Sequence, residues 1–312
     1  MQHAWFTESR FGMFVHWGLY SLAARHEWVK SREHLTDEDY QPYFDHFDPD
    51  LYDPREWARL AKAAGMRYVV LTTKHHDGFC LWDSAQTDYK STRTPYGKDL
   101  VGPFVAAVRE QGLRVGFYHS LLDWHHPEFP VDCHHPQRDD EEFKAANAGR
   151  DITKYTDYLH AQVRELLTGY GTIDYLFFDF SYAGRPGRWG GKGAADWRST
   201  ELLAMVRELQ PEIIVNDRLD IDGDFLTPEQ YQPAAPLRSG GATRSLAPQP
   251  WIERECSRIH SPITARVSRA RGSSRPRPVG PTLSSRLPFL ATLSTSMRTR
   301  RSGDLSSKLS RS

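Results

Sequence analysis

The sequence predicts an α/β fold, a TIM-like (β/α)8 barrel with parallel strands. Short apolar segments alternate with helical patterns along residues 1–230, and polar residues follow the apolar segments at their carboxyl ends. The apolar segments are continuous, which is typical of strands buried on both faces of a parallel sheet. A doubly wound sheet fits the same alternation, but no Gly-x-Gly-x-x-Gly or Walker loop follows any strand. The barrel is favoured because it would bring the polar strand ends together at one mouth.

Five segments are predicted to be strands: FGMFVHWG (11–18), YVVLTTKHHDGF (68–79), LRVGFYHS (113–120), DYLFFDF (174–180) and EIIVNDR (212–218). Helices are predicted at residues 53–65, 99–112, 151–171 and 196–211. In the first helix, Asp53 is the expected N-cap, Pro54 the first helical residue and Gly65 the residue beyond the end. A sixth strand is expected near Phe225. Because the rest of the sequence offers no strong candidate for the remaining two strands, the barrel is predicted to be incomplete.

Composition places limits on the location of the protein. No run of 18 apolar residues could cross a membrane. The first residues contain no basic segment followed by a long apolar one, so we expect no signal peptide and a cytoplasmic protein. A secreted or periplasmic location would apply if an export signal had been lost. Cys80, Cys133 and Cys256 are too few and too widely spaced to predict disulfides or a zinc site.

The residue composition and the net charge of the chain change near Pro236. Residues 237–312 contain 14 Arg, 1 Lys and 3 acidic residues, so they carry +12, and residues 1–236 carry −12 because the whole chain is neutral. We therefore divide the chain into an incomplete catalytic barrel (1–236) and an Arg/Ser/Pro-rich tail (237–312) without a fixed fold. The only apolar run of any length in the tail is LPFLATL (287–293).

Two interpretations of the tail are open. Its Arg:Lys ratio is what out-of-frame reading of a GC-rich gene would give, which suggests a frameshift near residues 233–238. An Arg/Ser-rich tail could instead bind nucleic acid. The low aromatic content, Trp251 and Phe289 only, counts against the second interpretation, and no nucleic-acid partner is predicted.

Asp179 is the strongest candidate for a catalytic residue. It follows the apolar run Leu176, Phe177 and Phe178 at the expected end of a strand. Burying an unpaired carboxylate there would cost several kcal/mol. The group is therefore either a structural carboxylate whose charge is compensated by a partner or a catalytic carboxylate. A partly desolvated carboxylate can act as a nucleophile.

Histidines at two other strand ends suggest contacts to a polar ligand. Adjacent residues of a strand point to opposite faces, so His75 and His76 can share a site only if the strand breaks, which Gly78 permits. Metal binding, substrate hydroxyl binding and a structural role are all open, and binding of substrate hydroxyls is favoured. The absence of a His-x-His motif after the first strand counts against a metal site. His16 and Trp17 also suit a sugar, with an imidazole for a hydroxyl and an indole for an apolar face.

Seven motifs together identify a family. The chain resembles the α-L-fucosidases of glycoside hydrolase family 29 over residues 4–232, through RFGMFVHWGLYS, EWV, YVVLTTKHHDGFCLWDS, GFYHSLLDWHHPEF, LFFDFSY, VNDR and GDFLTPEQY in that order. The resemblance implies a retaining exo-glycosidase on a TIM-like barrel, with Asp179 as nucleophile and no metal or organic cofactor. It also implies a fucosylated oligosaccharide or glycoconjugate as the substrate.

The resemblance also implies roles for other residues. The positions that match fucose contacts in the family are His16, Glu27, His75, His76, Tyr118 and Arg218, and Trp82 would pack against the methyl group of the sugar. For the general acid/base the match favours Glu229, with Glu253 as the alternative, because QPWIERECSRIHS departs from the family pattern.

Two other functions are open. The chain could be a non-catalytic sugar-binding barrel, since the family's last strands are not evident after Gln232 and activity could be lost. A metal-dependent barrel hydrolase is the remaining alternative, suggested by the paired histidines.

Overall fold

The computed structural model describes residues 4–183 and 191–227, together with the backbone of residues 289–294. A parallel sheet forms the centre of this part of the chain. Its strands are β1 (Phe11–His16), β2 (Tyr68–Lys74), β3 (Arg114–Ser120), β4 (Tyr175–Asp179), β5 (Ile214–Val215) and β6 (Phe289–Ser294).

The strand order is that of a barrel built in sequence. The sheet runs β5-β4-β3-β2-β1-β6, and every pair is parallel. Consecutive strands are neighbours throughout β1 to β5, as in the first five strands of a (β/α)8 barrel. The five predicted strands and the predicted fold class are confirmed. The strand expected near Phe225 is limited to a single parallel bridge between that residue and Asn216.

Ten α-helices accompany these strands in the described residues. They are α1 (Ala4–Ser9), α2 (Tyr20–Ala23), α3 (Val29–Arg32), α4 (Asp37–Asp45), α5 (Pro54–Ala63), α6 (Val101–Glu110), α7 (Glu141–Ala146), α8 (Ile152–Gly169), α9 (Ala194–Trp197) and α10 (Ser199–Leu209). The four predicted helices are confirmed as α5, α6, α8 and α10. Asp53 caps α5 by accepting a hydrogen bond from the Glu56 amide, and Pro54 is its first residue, as expected.

Helix α4 is the longest helix that the sequence analysis did not predict. Its apolar positions are few, with Tyr40 as its only buried residue, so no helical stripe is visible in the sequence. Its start is nevertheless marked by a capping box. Thr36 accepts from the Asp39 amide, and the Asp39 carboxylate accepts from the Thr36 amide.

The interior of the sheet is aromatic towards the amino ends of the strands. Phe14, Tyr68, Val70, Tyr118, Tyr175 and Ile214 form one buried cluster. The rings of Tyr68 and Tyr175 stack at 5.6 Å, and Phe6 of helix α1 packs against both. Most of this cluster lies in the amino-terminal halves of the strands, and polar side chains follow at the carboxyl ends.

Strand β6 belongs to the arginine-rich tail. Its backbone pairs with β1 in parallel, from Phe11 with Phe289 to His16 with Ser294. A strand beside β1 has the place that the eighth strand takes in a closed (β/α)8 barrel. The expectation of a tail without fixed structure is therefore corrected for these six residues. The only long apolar run of the tail pairs with the edge of β1 that β2 does not cover, and the other tail residues lie outside the described residues.

Candidate active site

The carboxylate of Asp179 lies at the carboxyl end of β4, where several strand ends meet. The Tyr118 hydroxyl donates a hydrogen bond of 2.7 Å to Asp179 Oδ2. The Arg218 guanidinium lies 3.6 Å from Oδ1, and His76 Nε2 lies 3.9 Å from Oδ2. The Asp179 side chain is 15% exposed. A donated hydrogen bond and a nearby cation compensate the charge that the apolar strand would otherwise disfavour.

Arg218 is held in place by the chain that follows β5. Its Nε donates to Thr227 Oγ1 at 2.8 Å, and its side chain also donates to the Thr227 carbonyl. Asp217 fixes Thr227 in turn by accepting from its amide at 3.1 Å and from its hydroxyl at 2.6 Å. The guanidinium therefore faces Asp179 from a position fixed by hydrogen bonds.

Three histidines surround the same strand ends. His16 ends β1, and its ring lies 4.9 Å from the Tyr118 ring and 5.6 Å from the His75 ring. His75 stacks on Tyr118 at 5.6 Å and contacts His76 at 4.1 Å. The structure thus brings together His16, His75, His76, Tyr118, Asp179 and Arg218, six of the predicted site residues.

The local break in β2 explains how two consecutive histidines reach one site. The strand ends at Lys74, after a register shift between Thr72 and Lys74. The Gly78 amide then donates to the His75 carbonyl and closes a turn, with Gly78 at φ +84°. Because a turn lacks the alternation of a strand, both imidazoles face the strand ends.

Burial controls the protonation of these histidines. Loss of solvent lowers the pKa of His75 well below its usual value, and the neighbouring His76 and His16 lower it further. The pKa of His76 is lowered in the same way by burial and then by His134 and His16. A neutral imidazole carries one donor and one acceptor, which suits the hydroxyl groups of a sugar.

We predict that the protein loses stability as the pH falls from 7 to 5. In the unfolded chain His75 and His76 take up protons near pH 6.5, whereas burial keeps them neutral when folded. Their stabilisation is complete above pH 6.5 and is lost as the pH falls towards their lowered folded pKa values. Asp77, whose pKa burial raises to about 6, acts in the opposite direction, whereas His119, whose pKa burial lowers well below its usual value, adds to the effect of His75 and His76.

The measurement is the urea midpoint at pH 7 and pH 5. His75→Gln should reduce the difference between the two midpoints, and substitution of the exposed His46 by Gln should leave that difference unchanged. A wild-type midpoint that is constant or rises towards pH 5 would contradict this prediction.

Trp28 is a site residue that the sequence analysis missed. Its half-buried ring lies 4.8 Å from the His76 ring and 5.2 Å from the Phe180 ring. Phe180 directly follows Asp179 and has a φ of +86°, an uncommon backbone conformation for a residue with a side chain. The two rings form an apolar wall beside the His76 ring, whose Nε2 lies 3.9 Å from the Asp179 carboxylate. The motif EWV contains this tryptophan, but the family resemblance implies a sugar contact only for its Glu27.

Trp17 and Trp82 pack elsewhere in the described structure. Trp17 stacks on Tyr52 at 4.9 Å and meets the edge of Trp57, and Trp82 donates from Nε1 to the Glu165 carboxylate at 2.9 Å. Each is only 2% exposed. These contacts give both indoles a packing role, and their predicted contact with a sugar stays a prediction.

The remaining predicted residues are Glu27, Glu229 and Glu253. Glu27 lies half-buried on the turn before Trp28 and interacts electrostatically with Tyr20 and His26. Glu229 and Glu253 lie outside the described residues.

Neither a metal cluster nor a membrane-spanning helix is present among the described residues. No group of three or more His, Cys, Asp or Glu side chains in 4–183 and 191–227 is placed to hold a metal ion. Among the helices of the same residues, none combines the length and hydropathy of a membrane-spanning segment.

Comparison with known proteins adds a family match and several structural relatives. The family model described as alpha-L-fucosidase matches residues 1–258, beyond residue 232 where the motifs placed the end of the resemblance. Alpha-L-fucosidase isoenzyme 1 of Paenibacillus thiaminolyticus is 51% identical, with a TM-score of 0.71 over 76% of this chain and 57% of that chain. Alpha-L-fucosidase AlfC of Lactobacillus casei, in complex with its alpha-L-fucose product, is 30% identical with a TM-score of 0.60, over 69% of each chain.

Curated relatives agree with these structures. The tissue alpha-L-fucosidase of Mus musculus is 34% identical over 235 residues, which are 69% of this chain and 47% of that protein. An alpha-L-fucosidase of Dictyostelium discoideum is 30% identical over 257 residues, 72% of this chain and 51% of that protein. The chain spans about half the length of these two relatives.

Proposed function

The chain belongs to the alpha-L-fucosidase family, and from this premise we propose that it is an exo-acting glycoside hydrolase that releases fucose from fucosylated oligosaccharides or glycoconjugates. The observation that carries the proposal is the Asp179 carboxylate. It stands at the strand ends with the Tyr118 hydroxyl bound to it, and Arg218 and the histidines His16, His75 and His76 lie around it.

Asp179 is proposed to act as the nucleophile of a retaining mechanism. Its carboxylate oxygen attacks the anomeric carbon and forms an ester to the sugar, while an acid protonates the departing glycosidic oxygen. The same acid residue, now a base, then removes a proton from water, and the water oxygen displaces Asp179 from the anomeric carbon. Two inversions give net retention, with no organic cofactor or metal in either step.

Glu229 is proposed as that acid and base. It lies two residues beyond Thr227, which is hydrogen-bonded to Asp217 and to the Arg218 side chain that faces Asp179. Glu253 is the alternative, and both residues fall within the 1–258 family match. A retaining enzyme would hold the acid/base carboxyl about 5–5.5 Å from that of Asp179.

The proposed site combines polar imidazoles with aromatic rings, and fucose has a polar and an apolar side to match them. As a 6-deoxy sugar it presents hydroxyl groups, which neutral imidazoles can bind, and a methyl group, which an aromatic ring can cover. We propose that the wall of Trp28 and Phe180 contacts the methyl group of fucose. Trp82, for which the family resemblance implies this contact, is the alternative. A single-residue variant of AlfC has been solved in complex with Fuca(1,6)GlcNAc, which is an example of the substrate class proposed here.

A non-catalytic sugar-binding barrel is the second candidate. It is favoured by the composition of residues 237–312, which suggests an altered reading frame. In this case the site would bind fucose without turnover.

The test is hydrolysis of an aryl α-L-fucoside by the chain as it stands and by a version with the reading frame restored from residue 233. We expect the restored version to release α-L-fucose first, as observed by proton NMR before mutarotation, and the present chain to be slower. Release of β-L-fucose would contradict retention. Fucose binding by both versions without hydrolysis would favour the sugar-binding barrel.

A further inference from the structure

Ser120, the last residue of β3, makes two short contacts behind the candidate site. Its Oγ donates to the Leu122 carbonyl at 2.7 Å and lies 2.6 Å from His76 Nδ1. Ser120 and His76 are both fully buried, so water does not compete for these contacts.

Proton accounting assigns the donor in the second contact. A hydroxyl has one hydrogen, and a carbonyl can only accept, so the Ser120 hydrogen points to Leu122. The contact with His76 then requires a hydrogen on Nδ1 that is donated to Ser120 Oγ. In the neutral ring this leaves Nε2 as the acceptor.

His76 Nε2 is directed at the centre of the candidate site. It is buried, lies 3.9 Å from Asp179 Oδ2, and has no hydrogen-bond partner among the described residues. Two acceptors that face each other at this distance do not bind each other, but a hydroxyl beside them can donate to one of them.

We propose that Ser120 is a positioning residue that holds His76 in the Nδ1–H tautomer, so that Nε2 accepts a hydrogen bond from a sugar hydroxyl next to Asp179. The sugar part of this inference rests on the proposed function. Without Ser120 the ring would be free to carry its hydrogen on Nε2. It would then offer that hydrogen to the Asp179 carboxylate and lose the acceptor for the sugar.

The charge state of His76 depends on the groups around it. The titratable groups that act on it are His16, His75, His134, Lys74, Asp132 and Asp179. Burial, with the histidines and Lys74, outweighs the opposing effect of Asp132 and keeps the pKa of His76 well below its usual value. The tautomer, rather than protonation, therefore decides what Nε2 offers at neutral pH.

A second hydroxyl–imidazole pair provides a matched control. Thr73 Oγ1 donates to the Tyr118 carbonyl at 2.9 Å and lies 3.0 Å from Nδ1 of the buried His119. The same proton accounting applies, but the His119 ring packs near Trp82 at 5.9 Å. Disturbing this pair changes the tautomer of a histidine outside the group around Asp179. It also removes a hydrogen bond to the backbone carbonyl of Tyr118, but it leaves the Tyr118 hydroxyl that binds Asp179 in place.

The experiment combines histidine nitrogen-15 NMR with calorimetric titration of L-fucose into the full chain at pH 7. In the unmodified chain we expect the Nδ1–H tautomer at His76. Ser120→Ala should shift His76 towards Nε2–H and weaken L-fucose binding about tenfold, whereas Ser120→Thr should retain both properties. Thr73→Val should alter the His119 signal and leave the fucose affinity within about twofold.

Each outcome is decisive. An Nε2–H tautomer at His76 in the unmodified chain overturns the proposal, whatever the variants do. Ser120→Ala with wild-type fucose affinity in a folded protein also overturns it. The expected tautomer in a chain that does not bind L-fucose supports the role of Ser120 and contradicts the proposed function instead.

Discussion

Asp179→Ala is expected to reduce hydrolysis of aryl α-L-fucosides by about 10³-fold or more in the frame-restored protein, equivalent to about 4 kcal/mol of activation free energy. In the proposed mechanism, the substitution removes the oxygen that would form the ester with the sugar. Tyr118 and Arg218, which face this carboxylate, cannot replace it, since one is a hydroxyl donor and the other a cation. The loss should appear in kcat, because the histidines that are proposed to hold the sugar remain.

Added azide is expected to rescue the activity of the Asp179→Ala variant in part. A small anion can enter the space left by the carboxylate and attack the anomeric carbon from the same side. We expect partial recovery of the rate and a fucosyl azide with the anomeric configuration opposite to that of the substrate. Asp157→Ala is a suitable control, since that carboxylate pairs with Arg198 on the surface and is 70% exposed. Turnover by Asp179→Ala close to that of the parent would rule out the assignment.

The strands could be predicted from the sequence because burial on both faces leaves a continuous apolar signature. The same pattern identified the strand ends that carry His16, Tyr118 and Asp179, and the structure brings these side chains together. The strand that pairs with the second edge of β1 could not be predicted in this way. Pairing between β1 and a segment some 270 residues later is a long-range contact that leaves no local pattern.

The aromatic contacts of the site were less predictable. Trp17, Trp28 and Trp82 all lie next to motif residues, and the sequence does not state which indole faces the strand ends. Packing decides it: Tyr52 covers Trp17, Glu165 binds Trp82, and Trp28 is left beside His76. The proposed role of Ser120 could not be predicted from the sequence for a similar reason. A small polar residue at a strand end has no sequence pattern that indicates its hydrogen-bond partner.

Gly78→Ala is expected to destabilise the fold by about 3–5 kcal/mol. A Cβ at this position would lie 2.3 Å from Asp123 Oδ1 and 2.9 Å from His125 Cβ. Asp123 cannot easily move aside, since its Oδ1 accepts from the His125 and His126 amides and its Oδ2 binds Lys74 Nζ at 3.1 Å. Lys74 and Asp123 are 0% and 1% exposed, and separating a buried ion pair leaves charges without compensation.

Gly65→Ala separates the two causes of this loss. Gly65 has a φ of +82°, nearly the +84° of Gly78, but an added Cβ there meets nothing within 4 Å. Its substitution should cost only about 1–2 kcal/mol, the strain of a left-handed backbone with a side chain. The excess loss in Gly78→Ala then measures the clash with Asp123. Urea unfolding of both variants provides the comparison, and equal losses would show that Asp123 adapts and that the backbone conformation alone explains the glycine.

The same pair of variants connects stability to the site. The turn closed by Gly78 is what directs both His75 and His76 to the strand ends. If Asp123 and the turn move apart in Gly78→Ala, L-fucose binding should fall by more than about tenfold even at temperatures where the variant is folded. Gly65→Ala lies beyond the end of α5 and should bind as the parent does. Retained binding in a destabilised Gly78→Ala would mean that the histidines hold their positions through Tyr118 and Ser120 rather than through the turn.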